Sequence, residues 1–297
     1  MYPCSNPELI AAVSNSGAIG IVQPISLTYI HNYDFREGLR FIKTLTDQPI
    51  GMNALIEKSS RNYIKKMSAW IDIALEEGVR FFITSLGNPK WVVDKVHACG
   101  GIVYHDVTEA KWADIAIKAG VDGFIAVNNA AGGHAGSFDA KELFQMLQKY
   151  HLPLICAGGI GNAETFREAL ALGYDGVQMG TRFIASHECT VPLSYKNAII
   201  KAHATDIIHT KELTGIPVSV IASDHDKERG VFSTFLLHNK MTKRLMRLFF
   251  ALKALRHGKK TMTNKVPSKQ TKWVAGKSVQ TIESIQSVAN IIKSFQS

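Results

Sequence analysis

The chain has 297 residues, 46% of them hydrophobic and 20% charged, enough to bury one large core in a single α/β domain. No apolar run reaches the roughly 18 residues that a membrane span needs, and the start, MYPCSNPELIAAVSNSG, lacks the basic region and cleavage site of a secretory signal. Cys4, Cys99, Cys156 and Cys189 show neither paired spacing nor a zinc pattern with histidine, so they read as reduced cysteines of a cytoplasmic protein.

Along the first two-thirds, short apolar runs alternate with amphipathic segments. AIGIVQP, PIGMNALI, FFITSLG, GIVYHDV, GFIAVNN, LPLICAGG and GVQMGTRF predict strands. YDFREGLRFIKTL, NYIKKMSAWIDIALEEG, PKWVVDKVHACG, EAKWADIAIKAG, AKELFQMLQKY and NAETFREALALG predict the helices between them. The alternation implies parallel strands with helical crossovers. The predicted strands number roughly seven, one short of a closed (β/α)8 barrel, and a doubly wound open sheet fits the same pattern. No G-x-G-x-x-G follows an early strand, which removes the usual sign of a dinucleotide-binding unit.

After residue 186 the rhythm breaks. ECTVPLSYKNAIIKAHATDIIHT predicts helix, TGIPVSVIAS an extended segment, and TFLLHNKMTKRLMRLFFALKALRHGKK a basic, partly amphipathic helix. WVAGKSVQTIESIQSVANIIKSF predicts a glycine-marked loop and a final amphipathic helix. The expected organisation is a barrel over 1–186 and a helical flank or lid over 187–297, packed on the same domain. The net charge of +9 is concentrated here: from Arg229 to Lys277 every charged residue is basic, including Lys240, Lys243, Arg244, Arg247, Lys259 and Lys260. A solvated helical face is the simplest account, with an acidic partner or a membrane surface as alternatives. Aromatics are not interleaved as a nucleic-acid stacking platform requires.

Residues 152–183 carry the clearest chemical signal. LPLICA ends at Gly158, Gly159 and Gly161, and GVQM ends at Gly180 and Thr181. Glycine admits positive φ and close backbone approach, so two such ends on neighbouring strands form a cup of N–H groups suited to a phosphate. Asn162 is positioned to cap the intervening helix and aim its positive end at the same place. Other strand ends place Met52 and Asn53, Thr84 and Ser85, His105 and Asp106, and then NNAAGGHAG, residues 128–136. His134 lies in that uncrowded loop and suits general acid–base work; a histidine bonded to a carbonyl in a tight turn is the alternative. His105 is the next candidate. No nucleophile elbow or paired-carboxylate site is visible, and the scarcity of acids at strand ends argues against a metal. A phosphorylated organic cofactor fits this pattern.

NNAAGGHAG followed by ICAGGIGNAETFREALALGYDGVQMGTRFIASHE resembles the nitronate monooxygenase family, formerly called 2-nitropropane dioxygenases, and the related flavin-dependent enoyl-acyl-carrier-protein reductases. The resemblance runs from SNPELIAAVSNSGAIG to WVAGKS, nearly the whole chain. It implies a (β/α)8 TIM-type barrel with FMN at the carboxyl face. Gly158, Gly159, Gly180 and Thr181 would hold the FMN phosphate; Asn53 and Ser85 would contact the isoalloxazine or ribityl portion, with Gln178 close by. Gly132 and Gly133 would let the His134 loop approach the flavin, and His134 would act as the base toward a nitroalkane. His105 is retained as a cofactor-site candidate.

Three departures stand out. Met1 stands where the family's flavin-contacting methionine stands, so the first barrel strand is expected to be missing, through an upstream start or a truncated chain. GMNALIEKSS lacks a Pro-rich continuation. Ala130 replaces an acidic residue, without the Pro-Gly-Glu-Asp sequel of one subgroup. The expected activity is therefore FMN-dependent oxidation of a small nitronate or nitroalkane with O2. An NADH-dependent enoyl-thioester reductase, whose basic tail docks an acidic carrier protein, and an inactive flavin-barrel scaffold are the alternatives.

Overall fold

Apolar runs bounded by glycine become strands, and the amphipathic stretches between them become helices, because each buries one side against the other. The computed structural model describes residues 1–57, 61–213, 215–222, 240–262 and 272–296, with 240–249 and 251 described for the backbone alone. Strands β1 (Gly20–Val22), β2 (Ile50–Leu55), β3 (Phe81–Ser85), β4 (Ile102–Val107), β5 (Gly123–Val127), β6 (Leu154–Ala157) and β7 (Gly176–Gln178) form one sheet. Its seven strands lie in chain order and pair in parallel throughout. That unbroken order has no switch point, so the fold is the TIM-type barrel and not the doubly wound sheet.

Helix α1 (Pro7–Asn15) precedes the sheet, and α2 (Phe35–Leu45), α3 (Arg61–Glu76), α4 (Lys90–His97), α5 (Ala110–Ala119), α6 (Ala140–Leu147) and α7 (Ala163–Ala171) link its strands. The caps follow the sequence. Asp34 accepts from Arg36 and Glu37 N–H at the start of α2, and Asp139 and Asn162 form capping boxes at α6 and α7. Gly120 ends α5 at φ 82°.

Alternation along the strands separates two layers. Phe82, Val103, Val107, Phe124 and Cys156 turn to the helices and are fully buried. Ile83, Ile125, Val127 and Ala157 form a smaller inner cluster. Small closed barrels fill their interior with side chains; here the inner face borders a cavity of about 1110 Å³. Among the described residues, β1 pairs only with β2 and β7 only with β6. Leu9, Ile10 and Val13 of α1, with Ile292 and Phe295 near the end of the chain, also line that cavity.

The last third adds α8 (Thr181–Ile184), α9 (Leu193–Lys201), the antiparallel hairpin β8 (Ile207–Thr210) and β9 (Val218–Ile221), α10 (Lys240–Met262) and α11 (Val288–Gln296). The helix expected to run through IIHT does not: β-branched Ile207, Ile208 and Thr210 pair with β9 instead. Isolated bridges join Gly133 to Ser219 and Val220 to Val274. Phe295 stacks on Phe166 at 5.4 Å and Trp273 on Tyr195 at 4.5 Å, so one apolar cluster takes residues from both sides of position 186. Arg229, and the side chains of Lys240, Lys243, Arg244 and Arg247, lie outside the described residues; Lys259 and Lys260 are exposed.

Candidate active site

The carboxyl ends of the strands converge on the cavity. Parallel register puts Gln178 beside Ala157 and Ala157 beside Val127, while Asn53 pairs with Ile83 and Leu55 with Ser85. Asn53, Ser85 and Gln178 therefore all face the interior, and all three line the cavity. Gly158, Gly159, Gly180 and Thr181 form its rim on the β6–β7 side, and Met1, Gly132 and His134 also border it. Gly133 is not among the lining residues, although its carbonyl accepts from Ser219 N–H at 2.8 Å.

The glycine cup has the backbone shape its sequence implies. Gly158 and Gly159 sit at φ 121° and 85°, a region that residues with a Cβ rarely adopt. A Cβ on Gly158 would collide with Asn128 Oδ1, and one on Gly180 would first meet Met1 Sδ at 3.5 Å. Among the described residues, the backbone N–H groups of Gly159 and Gly180 meet no acceptor within the protein. Unsatisfied donors at the rim of a cavity suit an anionic oxygen. Asn162 spends its side chain on Thr165 N–H at 3.0 Å, and Thr165 Oγ1 accepts from Gly161 N–H at 3.1 Å. Those two positions thus shape the turn. Thr181 is buried and its hydroxyl oxygen accepts from Gly276 N–H at 3.0 Å.

His134 is exposed on the facing loop, and its Nδ1 lies 3.0 Å from the carbonyl oxygen of Pro217. A carbonyl only accepts, so Nδ1 carries the proton and the neutral ring leaves Nε2, unpartnered among the described residues, as the basic nitrogen. The hairpin that supplies Pro217 thus selects the tautomer of the His134 ring. His105 is placed differently. Its Nδ1 is 2.8 Å from Thr84 Oγ1, and alternation puts both side chains on the sheet face opposite Tyr104 and Asp106. Burial pulls His105 down from its ordinary 6.5 to about 4, so the ring is neutral.

Two features of the site escape sequence reasoning. Asn128 is buried; its Nδ2 donates to Gly158 O at 3.0 Å and its Oδ1 accepts from Ala130 N–H at 2.8 Å, tying the histidine loop to the cup. It stands first in the NNAAGGHAG motif, where a strand-ending Asn was the available signal. The turn around Gly276 lies over the same loop: Lys277 N–H donates to Ala130 O at 2.9 Å, and a Cβ on Gly276 would fall 2.6 Å from that carbonyl. Nothing local in WVAGKS announces that contact.

Comparison with known proteins places the barrel first. FabK from Thermotoga maritima superimposes with a TM-score of 0.80 at 26% identity, over 100% of this chain and 89% of that one. The whole chain, residues 1–297, matches the family described as nitronate monooxygenase, and it belongs to that family, which is one of flavin oxidoreductases. A (3aS,4S,5R,7aS)-5-hydroxy-7a-methyl-1-oxo-octahydro-1H-indene-4-carboxyl-CoA dehydrogenase of Rhodococcus jostii is 30% identical over 221 residues, 74% of this chain and 60% of the relative. A probable nitronate monooxygenase of Staphylococcus saprophyticus is 28% identical over 267 residues, 75% of this chain and 74% of that protein. The chain thus spans about three-fifths of the first relative and three-quarters of the second.

The placement of His105 has a measurable consequence. Its folded-state pKa lies below the unfolded value, so its contribution to stability is full above about pH 6.5 and is lost as pH falls toward 4. A shift of this size amounts to roughly 3 kcal/mol. Urea midpoints from pH 7.5 to about pH 4.5 should fall less steeply for His105→Gln than for the unmodified protein. Parallel acid limbs would show that the ring is not buried neutral.

Proposed function

We propose that this protein is an FMN-dependent oxidoreductase of the nitronate monooxygenase type, acting on a small nitronate or nitroalkane with His134 as base. One juxtaposition carries the reading: a histidine whose Nε2 has no partner and glycine N–H groups that meet no acceptor, among the described residues, border a single cavity. Gly158, Gly159 and Gly180 would hold the FMN phosphate, with Asn53, Ser85 and Gln178 along the inner wall toward the ring. Met1 and Gly132 would bound the remaining side, with Gly133 behind them holding the His134 loop to Ser219. When bound, FMN would accept electrons from the nitronate and pass them to O2. The chain's own part is to position substrate near His134, whose Nε2 takes a proton from the carbon bearing the nitro group.

A second reading is reduction of a thioester-linked substrate at the expense of NADH. The Rhodococcus relative, a dehydrogenase whose name specifies a carboxyl-CoA, supports the thioester class and not the direction of electron flow. Anaerobic mixing separates the two. The proposed function predicts that a nitronate bleaches the flavin absorbance, whereas bleaching by NADH alone would overturn it in favour of the second reading. His134→Ala should retain FMN and lose roughly two to four orders of magnitude in nitroalkane turnover, the usual scale for a general base. Full turnover in that variant would remove His134 from the chemistry.

The cup has its own test. Gly159→Val should weaken FMN binding, because φ is 85° there and the added Cβ would lie 3.3 Å from Ala130 Cβ at the rim. Gly78→Val is the matched control, with φ 84° and open space around it. Fluorescence titration should show FMN affinity reduced only by the first substitution; equal effects would assign the loss to backbone strain.

A further inference from the structure

Asp106, within the carboxyl half of β4, is a carboxylate that the proposed chemistry leaves without a task. It sits on the inner face of β4, one residue beyond the Thr84–His105 pair and therefore level with Ser85, and its Cα partner on β5 is Ile125. Ile125 pairs with Ile155, so the row around the acid offers one hydroxyl and two alkyl side chains. The next row toward the mouth holds Val127, Ala157 and Gln178, which border the same cavity as the glycine cup. The residue as a whole is half-buried and lines that cavity, but its Oδ1 has no accessible surface and no hydrogen-bond partner among the described residues.

An ionised carboxylate in that position is costly, because no donor replaces the water it has lost. The charged group that acts on it is the Met1 ammonium, which favours ionisation. Burial outweighs it and lifts the Asp106 carboxyl from 3.8 to about 7. Among the described residues, the other titratable residues that border the cavity are Tyr2 next to Met1, Tyr104 and His105 on the same strand as Asp106, His134 across the mouth and Asp175 on the β6–β7 side. The His105 ring lies on the opposite face of the sheet and is neutral. A ring seated over the cavity would remove more water and favour the protonated acid further. With Oδ1 buried, the part of this half-buried residue's carboxyl that borders the cavity would present the O–H. That O–H then needs an acceptor, and the carbonyl and imine edge of an isoalloxazine presents several.

We propose that the Asp106 carboxyl is a cofactor contact that holds a proton in the loaded protein and donates a hydrogen bond to an acceptor on the flavin ring. The inference rests on the FMN reading above and adds a residue that the family resemblance does not supply. Proton uptake is therefore linked to cofactor binding.

The test is the dissociation constant for FMN, measured by quenching of flavin fluorescence from about pH 6 to pH 9, for the unmodified protein and for Asp106→Asn. Ionisation of the FMN phosphate affects both proteins equally. The Met1 amine, which burial pulls below its ordinary 8.0, lies in the field of Asp106. Acetylating it removes the charge coupled to the acid, so that the ratio of the two acetylated proteins isolates Asp106. Between about pH 6.5 and pH 8.5 the affinity of the protein that carries Asp106 should fall at least about tenfold relative to the variant, whose amide donates at every pH. A measurement on the unmodified protein alone backs this up. Calorimetric titration with FMN at about pH 8, in two buffers of different ionisation enthalpy, should show net proton uptake. Parallel pH profiles, or no uptake, overturn the role of Asp106 while leaving the FMN site intact. Failure of both proteins to bind FMN at any pH overturns the cofactor reading and this inference together.

Discussion

The geometry at the barrel mouth depends on the side chain of Asn128. A strand end is a poor place to hold a loop in position, since the ladder is finishing and the next backbone groups need new partners. Among the bonds of Asn128, three solve this: its own N–H to Ala157 O at 3.0 Å, its amide nitrogen to Gly158 O and its amide oxygen to Ala130 N–H. Buried and saturated in this way, it holds the loops after β5 and β6 at a fixed separation. The space it needs explains Gly158, where a Cβ would occupy the position of the Asn128 amide oxygen.

From that clasp the remaining parts follow in order. With Ala130 held in place, its carbonyl accepts the Lys277 N–H, and the turn around Gly276 can lie over the loop because neither Gly132 nor Gly276 has a side chain. The hairpin β8–β9 closes the other side through Ser219 N–H to Gly133 O and Pro217 O to the His134 ring. The last third of the chain is thus part of the mouth as well as its flank. Below the mouth, the sheet runs from β1 to β7 without pairing those two strands to each other, and the interior is open enough to leave a deep cavity. Polar side chains such as Asp106 border that cavity for the same reason, although Asp106 Oδ1 itself is buried without a hydrogen-bond partner among the described residues.

Much of this was legible in the sequence because the signals were local. Strand–helix alternation placed all seven parallel strands, and the capping box at Asn162 matched its expected role. Positive φ at Gly158 and Gly159 was implied by the glycine pair itself. What stayed hidden was set by contacts distant in sequence. The tautomer of His134 is selected by a carbonyl 83 positions away, and Thr181 is engaged by an N–H 95 positions away. IIHT misled because a short apolar run fits a helix face or a strand equally well until its partner is known. His105 and Asp106 show the limit of reading strand ends by residue type alone. Adjacent on one strand, they point to opposite faces, and the phase of that alternation is set by neighbours that the local sequence does not identify.

The central claim is that the glycine rim between β6 and β7 binds a phosphate, and that the phosphate accounts for much of the cofactor's affinity. Titrating the protein, stripped of any flavin, with FMN and with riboflavin isolates that one group. Two charge-assisted bonds from Gly159 and Gly180, each about 1.5 kcal/mol or more, predict FMN at least about a hundredfold tighter than riboflavin. Equal affinities for the two would contradict the account.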